Sequence, residues 1–182
     1  MNVKRQLKKI RKGDEAAAEE LIRFFYRDIY IFVYSKTGDE HHAYDMTQEI
    51  FIKMIRSLSS FRDDGRFKSW LFTIAANHTK DYYKSNLYRE RKQSVTEPFG
   101  FEENVVTFYS RSSSVLDEED VGILLNDLPG FQKEAILLKY IYGFKGKEIS
   151  AITGVPESSV KSRIRQGLEK MRNKVKGENA DE

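Results

Sequence analysis

The chain has 182 residues, of which 40% are hydrophobic and 13% aromatic. This is enough apolar surface for one medium domain or two small ones, which argues against a natively disordered protein. The absence of cysteine excludes disulfides and thiolate metal sites and fits a reducing, cytoplasmic location. No stretch approaches the roughly 20 consecutive apolar residues of a membrane-spanning helix, so we expect no direct membrane insertion.

The net charge of +3 is distributed unevenly along the chain. Residues 1–93 have 19 Lys and Arg against 13 Asp and Glu, residues 94–127 have 1 against 8, and residues 128–182 have 11 against 7. Two basic modules therefore flank an acidic connector. Basic modules suggest a polyanionic partner, because Lys and Arg neutralise phosphates and release counterions, although chance patterning is the simpler alternative.

Apolar residues recur at steps of three or four through the first half, which predicts a bundle of helices. The predicted helices span about 14–34, 39–58 and 67–84, with Gly38 as the stop of the first and Asp39 as the cap of the second. The expected inward-facing residues are Ala18, Ile22, Phe25, Ile29 and Phe32 in the first helix, Ala43, Met46, Ile50, Phe51, Met54, Ile55 and Leu58 in the second, and Phe67, Trp70, Leu71, Ile74, Ala75 and His78 in the third.

Residues 93–116 have no helical period and contain proline, glycine and a run of serines, so we predict a flexible acidic linker there. Beyond it the helical pattern returns, and Pro129 is expected to open a helix that continues to Tyr142 and closes at Gly143. The predicted fold class is all-α, with two small helical domains joined by the linker and a helix-turn-helix in the second. The predicted boundaries are 1–92, 93–116, 117–176 and a tail at 177–182.

The stretch from Gly154 to Lys176 places seven basic residues among evenly spaced aliphatic ones. A short predicted helix at 147–153 precedes it across a turn, which is the arrangement of a helix-turn-helix. On a helical wheel, an aliphatic back lies behind a polar, mostly basic front. The back contains Val160, Ile164, Leu168, Met171 and Val175, and the front contains Ser158, Lys161, Ser162, Arg165 and Gln166. These front residues suit contacts to phosphates and base edges, but an ordinary solvated helix face is the alternative.

Three longer stretches follow one another along the chain: DMTQEIFIKMIRSLSSFR at 45–62, FKSWLFTIAANHTKDYYK at 67–84, and LPGFQKEAILLKYIYGFKGKEISAITGVPESSVKSRIRQGLEKMR at 128–172. Together they resemble the extracytoplasmic-function (ECF) group of bacterial RNA polymerase sigma factors. The first is similar to the family's polymerase-clamp helix, with its Asp-x-x-Gln-Glu-x-Phe pattern. The second resembles the promoter-melting and minus-ten segment, and the third the domain that reads the minus-thirty-five element.

The resemblance implies a non-catalytic specificity subunit, without a cofactor, that binds bacterial core RNA polymerase and promoter DNA and assists DNA melting. It also implies an anti-sigma factor as a partner. The residues it assigns to polymerase are Asp45, Gln48, Glu49 and Lys53, and those it assigns to the minus-ten element are Phe61, Arg62, Asn77, Lys80 and Lys84. The front residues of the last helix, Ser158, Lys161, Ser162, Arg165 and Gln166, are assigned to the minus-thirty-five element.

Other interpretations of the same residues remain open. A stand-alone helix-turn-helix regulator would use the last helix without polymerase. The spacing of His41, Asp45 and Glu49 is one that metal ligands use, and with His42 they would suit a metal-dependent phosphohydrolase, although the paired Glu-x-x-His signature of such helical bundles is missing. Trp70 is a candidate for stacking on a base, but its place in the apolar period favours the core.

Overall fold

The computed structural model describes residues 1–62, 64–84, 125 and 128–178, with side chains up to residue 175. The chain divides into two units, Met1–Pro98 and Phe99–Glu182. Every regular element in the described ranges is helical, which confirms the predicted all-α class. Within the same ranges, no helix combines the length and apolar character needed to cross a membrane. The predicted linker at 93–116 lies outside the described residues.

Four helices form the described part of the first unit: α1 (Val3–Ile10), α2 (Glu15–Thr37), α3 (Glu40–Ser57) and α4 (Phe67–Lys84). The side chains of Asn2, Asp14 and Asp39 cap the first three helices by accepting backbone N–H groups at 3.1, 2.9 and 2.8 Å. Gly38 ends α2 with a left-handed φ of 63°. The predicted stop at Gly38 and the predicted cap at Asp39 are therefore confirmed.

The core of the first unit forms where α2 packs against α3 and α4. Aromatic rings join α2 to α4, since the ring centroids of Phe25 and Phe67 are 5.5 Å apart and those of Phe32 and Phe72 are 5.2 Å apart. One predicted core residue of α3 is misplaced, because Ile55 is 37% exposed. It lies about 100° around the helix from its buried neighbour, so it falls beside the packed face rather than on it.

The buried face at the start of α2 is shifted by one residue from the predicted face. Ala17 and Leu21 are buried, whereas the predicted Ala18 and Ile22 are only half-buried. Both pairs are apolar, so the period of the sequence cannot choose between them. The choice follows from the packing of α1 on α2, in which Leu7 becomes fully buried.

The described part of the second unit consists of α5 (Gly130–Ile136), a π-helical turn (Leu137–Ile141), α6 (Gly146–Thr153) and α7 (Glu157–Glu178). The predicted helix after Pro129 is therefore confirmed as far as Ile141, and its last turn is π-helical. The N–H of Tyr142 donates to the carbonyl of Leu137, five residues earlier, at 3.1 Å, which widens this turn. Gly143 and Gly154 both have a left-handed φ of 74°, so the predicted closure at Gly143 and the turn before α7 are confirmed.

Close packing at Gly167 fixes the position of α7 on α5. A Cβ atom at Gly167 would lie 2.6 Å from Cδ1 of Ile136, so the two helices approach more closely than a side chain at this position allows. Val160 is buried and Val175 is exposed, and the aliphatic residues between them, Ile164, Leu168 and Met171, are half-buried. The packed side of α7 is therefore centred nearer Gly167 than the predicted aliphatic back.

Candidate functional site

The four residues of α3 predicted to bind polymerase are all exposed: Asp45, Gln48, Glu49 and Lys53. They share their side of the helix with two large apolar residues, because Tyr44 is 53% exposed and Ile52 is 49% exposed. These two residues were not predicted from the sequence. The outer face of α3 therefore combines polar groups, which give a partner orientation, with apolar area that a partner can bury.

His78 of α4 links two of those residues. Its Nε2 lies 3.1 Å from Oε2 of Glu49, and its Nδ1 lies 2.5 Å from Nζ of Lys53. Burial is the largest cause that lowers the pKa of His78, the Lys53 ammonium lowers it further, and the carboxylates of Glu49 and Asp81 oppose the shift. A neutral ring with its proton on Nε2 satisfies both contacts, because it donates to Glu49 and accepts from Lys53.

His78 was predicted on the apolar face of α4, and its contacts with Glu49 and Lys53 were not predicted. The side chain is 11% exposed, so the period correctly indicated burial but not a polar role. The available signal was the presence of an ionisable residue at an inward-facing position, since such a group needs a polar partner when it is buried. Glu49 and Lys53 of α3 are the polar partners of His78.

The proposed metal ligands do not form a cluster in the structure. His42 donates its backbone N–H to Asp39, its ring Nδ1 lies 3.0 Å from the same carboxylate, and the ring is 5.6 Å from that of Tyr82. Glu49 instead contacts His78. In the part of the chain that the structure describes, no group of three His, Asp or Glu side chains is arranged to hold a metal ion.

Phe61 lies in the interior of the first unit and not on its surface. It is 8% exposed, its ring centroid is 4.4 Å from that of Trp70 and 5.6 Å from that of Phe67, and its carbonyl accepts a hydrogen bond from Arg11. Arg62, the next residue, is exposed. The half-buried Trp70 is part of the same aromatic cluster, which agrees with its predicted core position.

The loop between α3 and α4 borders a cavity of about 520 Å³. Asp64 and Gly65 line it from the loop, and Gly65 has a left-handed φ of 81° with no atom within 4 Å of a Cβ position. Arg66 hydrogen-bonds Asp64 and thereby lowers the pKa of that carboxyl. The remaining lining residues are Val3, Lys4, Phe25, Phe67 and Lys68. The space therefore opens beside Gly65 and α1, and Asp63 lies outside the described residues.

The three minus-ten residues predicted on α4 form one exposed row. Asn77, Lys80 and Lys84 are spaced by three and four residues, so they lie on the same side of the helix, and all three are exposed. An amide followed by two ammonium groups can pair with a base edge and with phosphates. The structure thus brings these residues together as a continuous polar face.

The predicted front of α7 is open to solvent. Ser158, Lys161, Arg165 and Gln166 are exposed, and Ser162 is half-buried. Two front side chains have contacts within the unit, since Lys161 lies 3.4 Å from Glu157, and Gln166 Oε1 accepts a hydrogen bond from Gln132 at 3.3 Å. The side chains of Ser158 and Arg165 carry no such constraint among the described residues, so they extend freely from the helix.

Two contacts of α6 hold the helix-turn-helix in shape. The hydroxyl of Ser150 donates to the carbonyl of Val155 at 2.6 Å, which closes the turn around Gly154. Ile149 and Ile152 of α6 are buried, as expected for the bracing helix, and α6 packs against α7.

Arg163 of α7 lies off the front and contacts α5, because its guanidinium stacks over the ring of Phe131, 5.2 Å from the ring centroid.

Comparison with known families gives two matches on this chain. The family model for Sigma-70 region 2 matches residues 21–87, and the model for Sigma-70 region 4 matches residues 120–171. The first match covers most of α2 and all of α3 and α4. The second covers α5, α6 and most of α7. Helix α1 lies outside both matches.

Two curated relatives align over nearly the whole chain. The ECF RNA polymerase sigma factor SigW of Bacillus subtilis (strain 168) is 30% identical over 190 aligned positions, covering 97% of this chain and 98% of the relative. The ECF RNA polymerase sigma-E factor of Escherichia coli (strain K12) is 32% identical over 178 positions, covering 93% of this chain and 92% of the relative.

Solved structures with a similar fold agree with these alignments. The sigma factor RpoE in complex with the anti-sigma factor NepR from Bartonella quintana has a TM-score of 0.67 at 24% identity, covering 87% of this chain and 96% of that one. CnrH in complex with the cytosolic domain of CnrY has a TM-score of 0.64 at 21% identity, covering 94% and 96%. From the two family matches and the full-length alignments, the chain belongs to the ECF group of RNA polymerase sigma factors.

Proposed function

We propose that this sigma factor divides promoter-directed initiation among three surfaces. The outer face of α3 binds core RNA polymerase, the exposed row on α4 together with the loop before it binds the minus-ten element, and the front of α7 reads the minus-thirty-five element. Sigma factors are non-enzymatic initiation factors, so binding energy alone must do this work. The protein acts in the cytoplasm, where it joins the polymerase.

The observation that carries this proposal is the exposed front of α7 on a helix that packs closely against α5 at Gly167. Close approach at Gly167 and the buried Val160 fix the orientation of the helix. Lys161 and Arg165 therefore project from a defined position, as a helix entering the major groove requires. The amide nitrogen of Gln166 remains available to donate to a base, because only its oxygen is engaged with Gln132.

The two DNA surfaces act in sequence. Recognition of the duplex by α7 positions the complex on the promoter. The row of Asn77, Lys80 and Lys84 then binds non-template bases and phosphates that become available when the strands separate. Because this binding is specific for the unpaired strand, it shifts the equilibrium toward open DNA.

An anti-sigma factor is the expected regulator. Both structural neighbours were solved with an anti-sigma factor or with the cytosolic domain of a second protein bound. In this chain, Tyr44 and Ile52 give α3 exposed apolar area next to the polar groups proposed for polymerase. A partner that covers this area would exclude polymerase by direct competition.

Run-off transcription with purified bacterial core polymerase tests the proposal. We expect initiation from a defined set of genomic fragments only when both core polymerase and this protein are present. Initiation should be lost when the minus-thirty-five region of such a fragment is scrambled. Tight sequence-specific binding to DNA without polymerase, combined with no stimulation of transcription, would instead identify a stand-alone helix-turn-helix regulator.

A further inference from the structure

We propose that α1 is an additional nucleic-acid-binding element of this sigma factor. In this inference, Lys4, Arg5, Lys8 and Lys12 bind the phosphate backbone of the unpaired non-template strand beside the loop that precedes α4. It rests on the proposed minus-ten function of the first unit. It goes beyond that function because the region 2 match begins only at residue 21 and leaves α1 unassigned.

The charge of α1 and of the turn that follows it is the first observation. Residues 4–12 contain six Lys or Arg and no Asp or Glu, and all six cations are exposed. Two of them have partners, since Lys9 lies 3.8 Å from Asp14 and Arg11 donates to the carbonyl of Phe61. The other four make no ion pair with any carboxylate in the described residues. Their positive charge is therefore available to a polyanion.

The second observation is that α1 is firmly attached to the unit. Leu7 is 1% exposed against α2, and the side-chain amide of Gln6 donates to Glu20 at 2.5 Å. Lys4 and Lys8 lie one helical turn apart, about 6 Å along the axis, and both are exposed beside the buried face of Gln6 and Leu7. The backbone that carries these cations is therefore held in place. As a result, less conformational entropy is lost when the cations bind phosphates.

The third observation is the position of this row. The hydrogen bond from Arg11 to Phe61 joins the end of α1 to the start of the loop. At the other end, Lys4 lines the 520 Å³ cavity together with Gly65 and Phe67. A strand that places a base in this cavity would carry its backbone along Lys4 and Lys8.

These cations continue from the loop proposed to bind the minus-ten element, which favours single-stranded DNA over an acidic protein as their partner. Phe25 and Phe67 line the cavity but are each only 3% exposed, so their rings belong to the core and are not available to stack on a base. Lys4 and Lys68 lie at the edge of the cavity, where cations can bind a phosphate backbone without reading its bases. The expected contribution of α1 is therefore affinity for the open strand, with no requirement for a particular base.

Salt-dependent binding tests the inference. The full-length Lys4→Ala/Lys8→Ala variant is assembled with core polymerase and titrated with a fluorescent forked promoter that has an unpaired non-template minus-ten region. We expect weaker binding than wild type, and a slope of log K against log salt that is smaller by about 1.4, from two contacts at about 0.7 each. A charge-matched Arg23→Ala/Arg27→Ala variant should retain the wild-type slope, because these two exposed residues lie one turn apart on α2, to which no binding surface is assigned.

The outcomes separate this inference from the proposed function. If wild-type holoenzyme fails to bind the fork, the proposed function itself is wrong. If wild-type holoenzyme binds and the two double variants give the same slope, only the role of α1 is overturned. A loss of affinity for core polymerase in the absence of DNA would also overturn it, since α1 would then bind the polymerase. Thermal unfolding of both variants checks that the exposed substitutions leave the fold intact.

Discussion

The two units hold their proposed binding surfaces in place by different interactions. In the first unit, polar side chains cross between elements, since Glu49 and Lys53 of α3 both contact His78 of α4. In the second unit, the reading helix is positioned by close packing at Gly167. The first arrangement is sensitive to protonation and to the loss of a single polar group, and the second is sensitive to volume at one helix crossing.

The largest expected effect comes from filling the helix crossing. Gly167→Leu places side-chain atoms where Ile136, Gln132 and Leu128 already lie, so we expect a loss of about 1–3 kcal/mol in the unfolding free energy of the second unit. Because α7 would also shift, promoter recognition through the minus-thirty-five element should be lost. Chemical denaturation and run-off transcription measure the two effects.

Glu169→Leu is the matched control for this substitution, because it adds the same side chain at an exposed position of the same helix. It should change the unfolding free energy by no more than about 0.5 kcal/mol. Equal destabilisation by the two leucines would contradict the claim that the crossing at Gly167 positions the helix.

Truncating the front of α7 should affect binding without affecting stability. We expect Lys161→Ala and Arg165→Ala each to cost about 1–3 kcal/mol in holoenzyme affinity if the side chain contacts a base edge. Measuring the affinity for promoters with each minus-thirty-five base substituted distinguishes the type of contact. A base contact relaxes specificity at one position, whereas a phosphate contact weakens all sequences equally and lowers the salt slope by about 1.

The His78 bridge makes the first unit respond to pH. Its pKa is lowered in the folded protein from 6.5, so the unfolded chain binds the proton more readily between the folded pKa and 6.5. The stability contribution is therefore complete above about pH 7 and is lost as the pH falls through 6.5 toward the folded pKa. Urea denaturation between pH 5.5 and 7.5 measures this change.

His78→Gln removes the titration and should make stability in this pH range nearly independent of pH. At pH 7.5 the variant should lose no more than about 1 kcal/mol, because a glutamine amide can also donate to Glu49 and accept from Lys53, and both of these partners are exposed. A variant that keeps the wild-type pH dependence would show that another group causes it. Binding of core polymerase should weaken in parallel if His78 orients Glu49 and Lys53.

The sequence predicted helices and their ends well, because these depend on local signals. Gly38, Asp39 and Gly143 act as expected, since a left-handed turn or an N-terminal cap requires only the residue itself and its neighbours. The extent of the helix after Pro129 was also predicted, but the type of its last turn was not. The π-helical turn at 137–141 depends on how the following residues pack, and no local residue signals it.

Features that depend on contact between helices were not predictable from periodicity. Gly167 has no side chain, so it does not contribute to the pattern of apolar residues along the helix, although it sets the position of α7. The burial of Phe61 was also not predictable from periodicity, because it results from the packing of its ring against Trp70. For the proposed DNA-binding rows on α4 and α7, the sequence identified sets of residues that the fold brings onto one face, and their contacts with DNA stay predictions.

The smallest expected effect tests whether the exposed apolar area of α3 contributes to polymerase binding. Ile52→Ala should leave the unfolding free energy within about 0.5 kcal/mol of wild type, because the side chain is half exposed. Its affinity for core polymerase should fall by about 1 kcal/mol, roughly five-fold, since apolar area that the partner buries is removed. Ile141→Ala in the second unit is the matched control, because Ile141 has a similar exposure. If both variants bind core polymerase as well as wild type does, the polar residues of α3 bind it without apolar support, and polar contacts would both position this surface, through His78, and bind the partner.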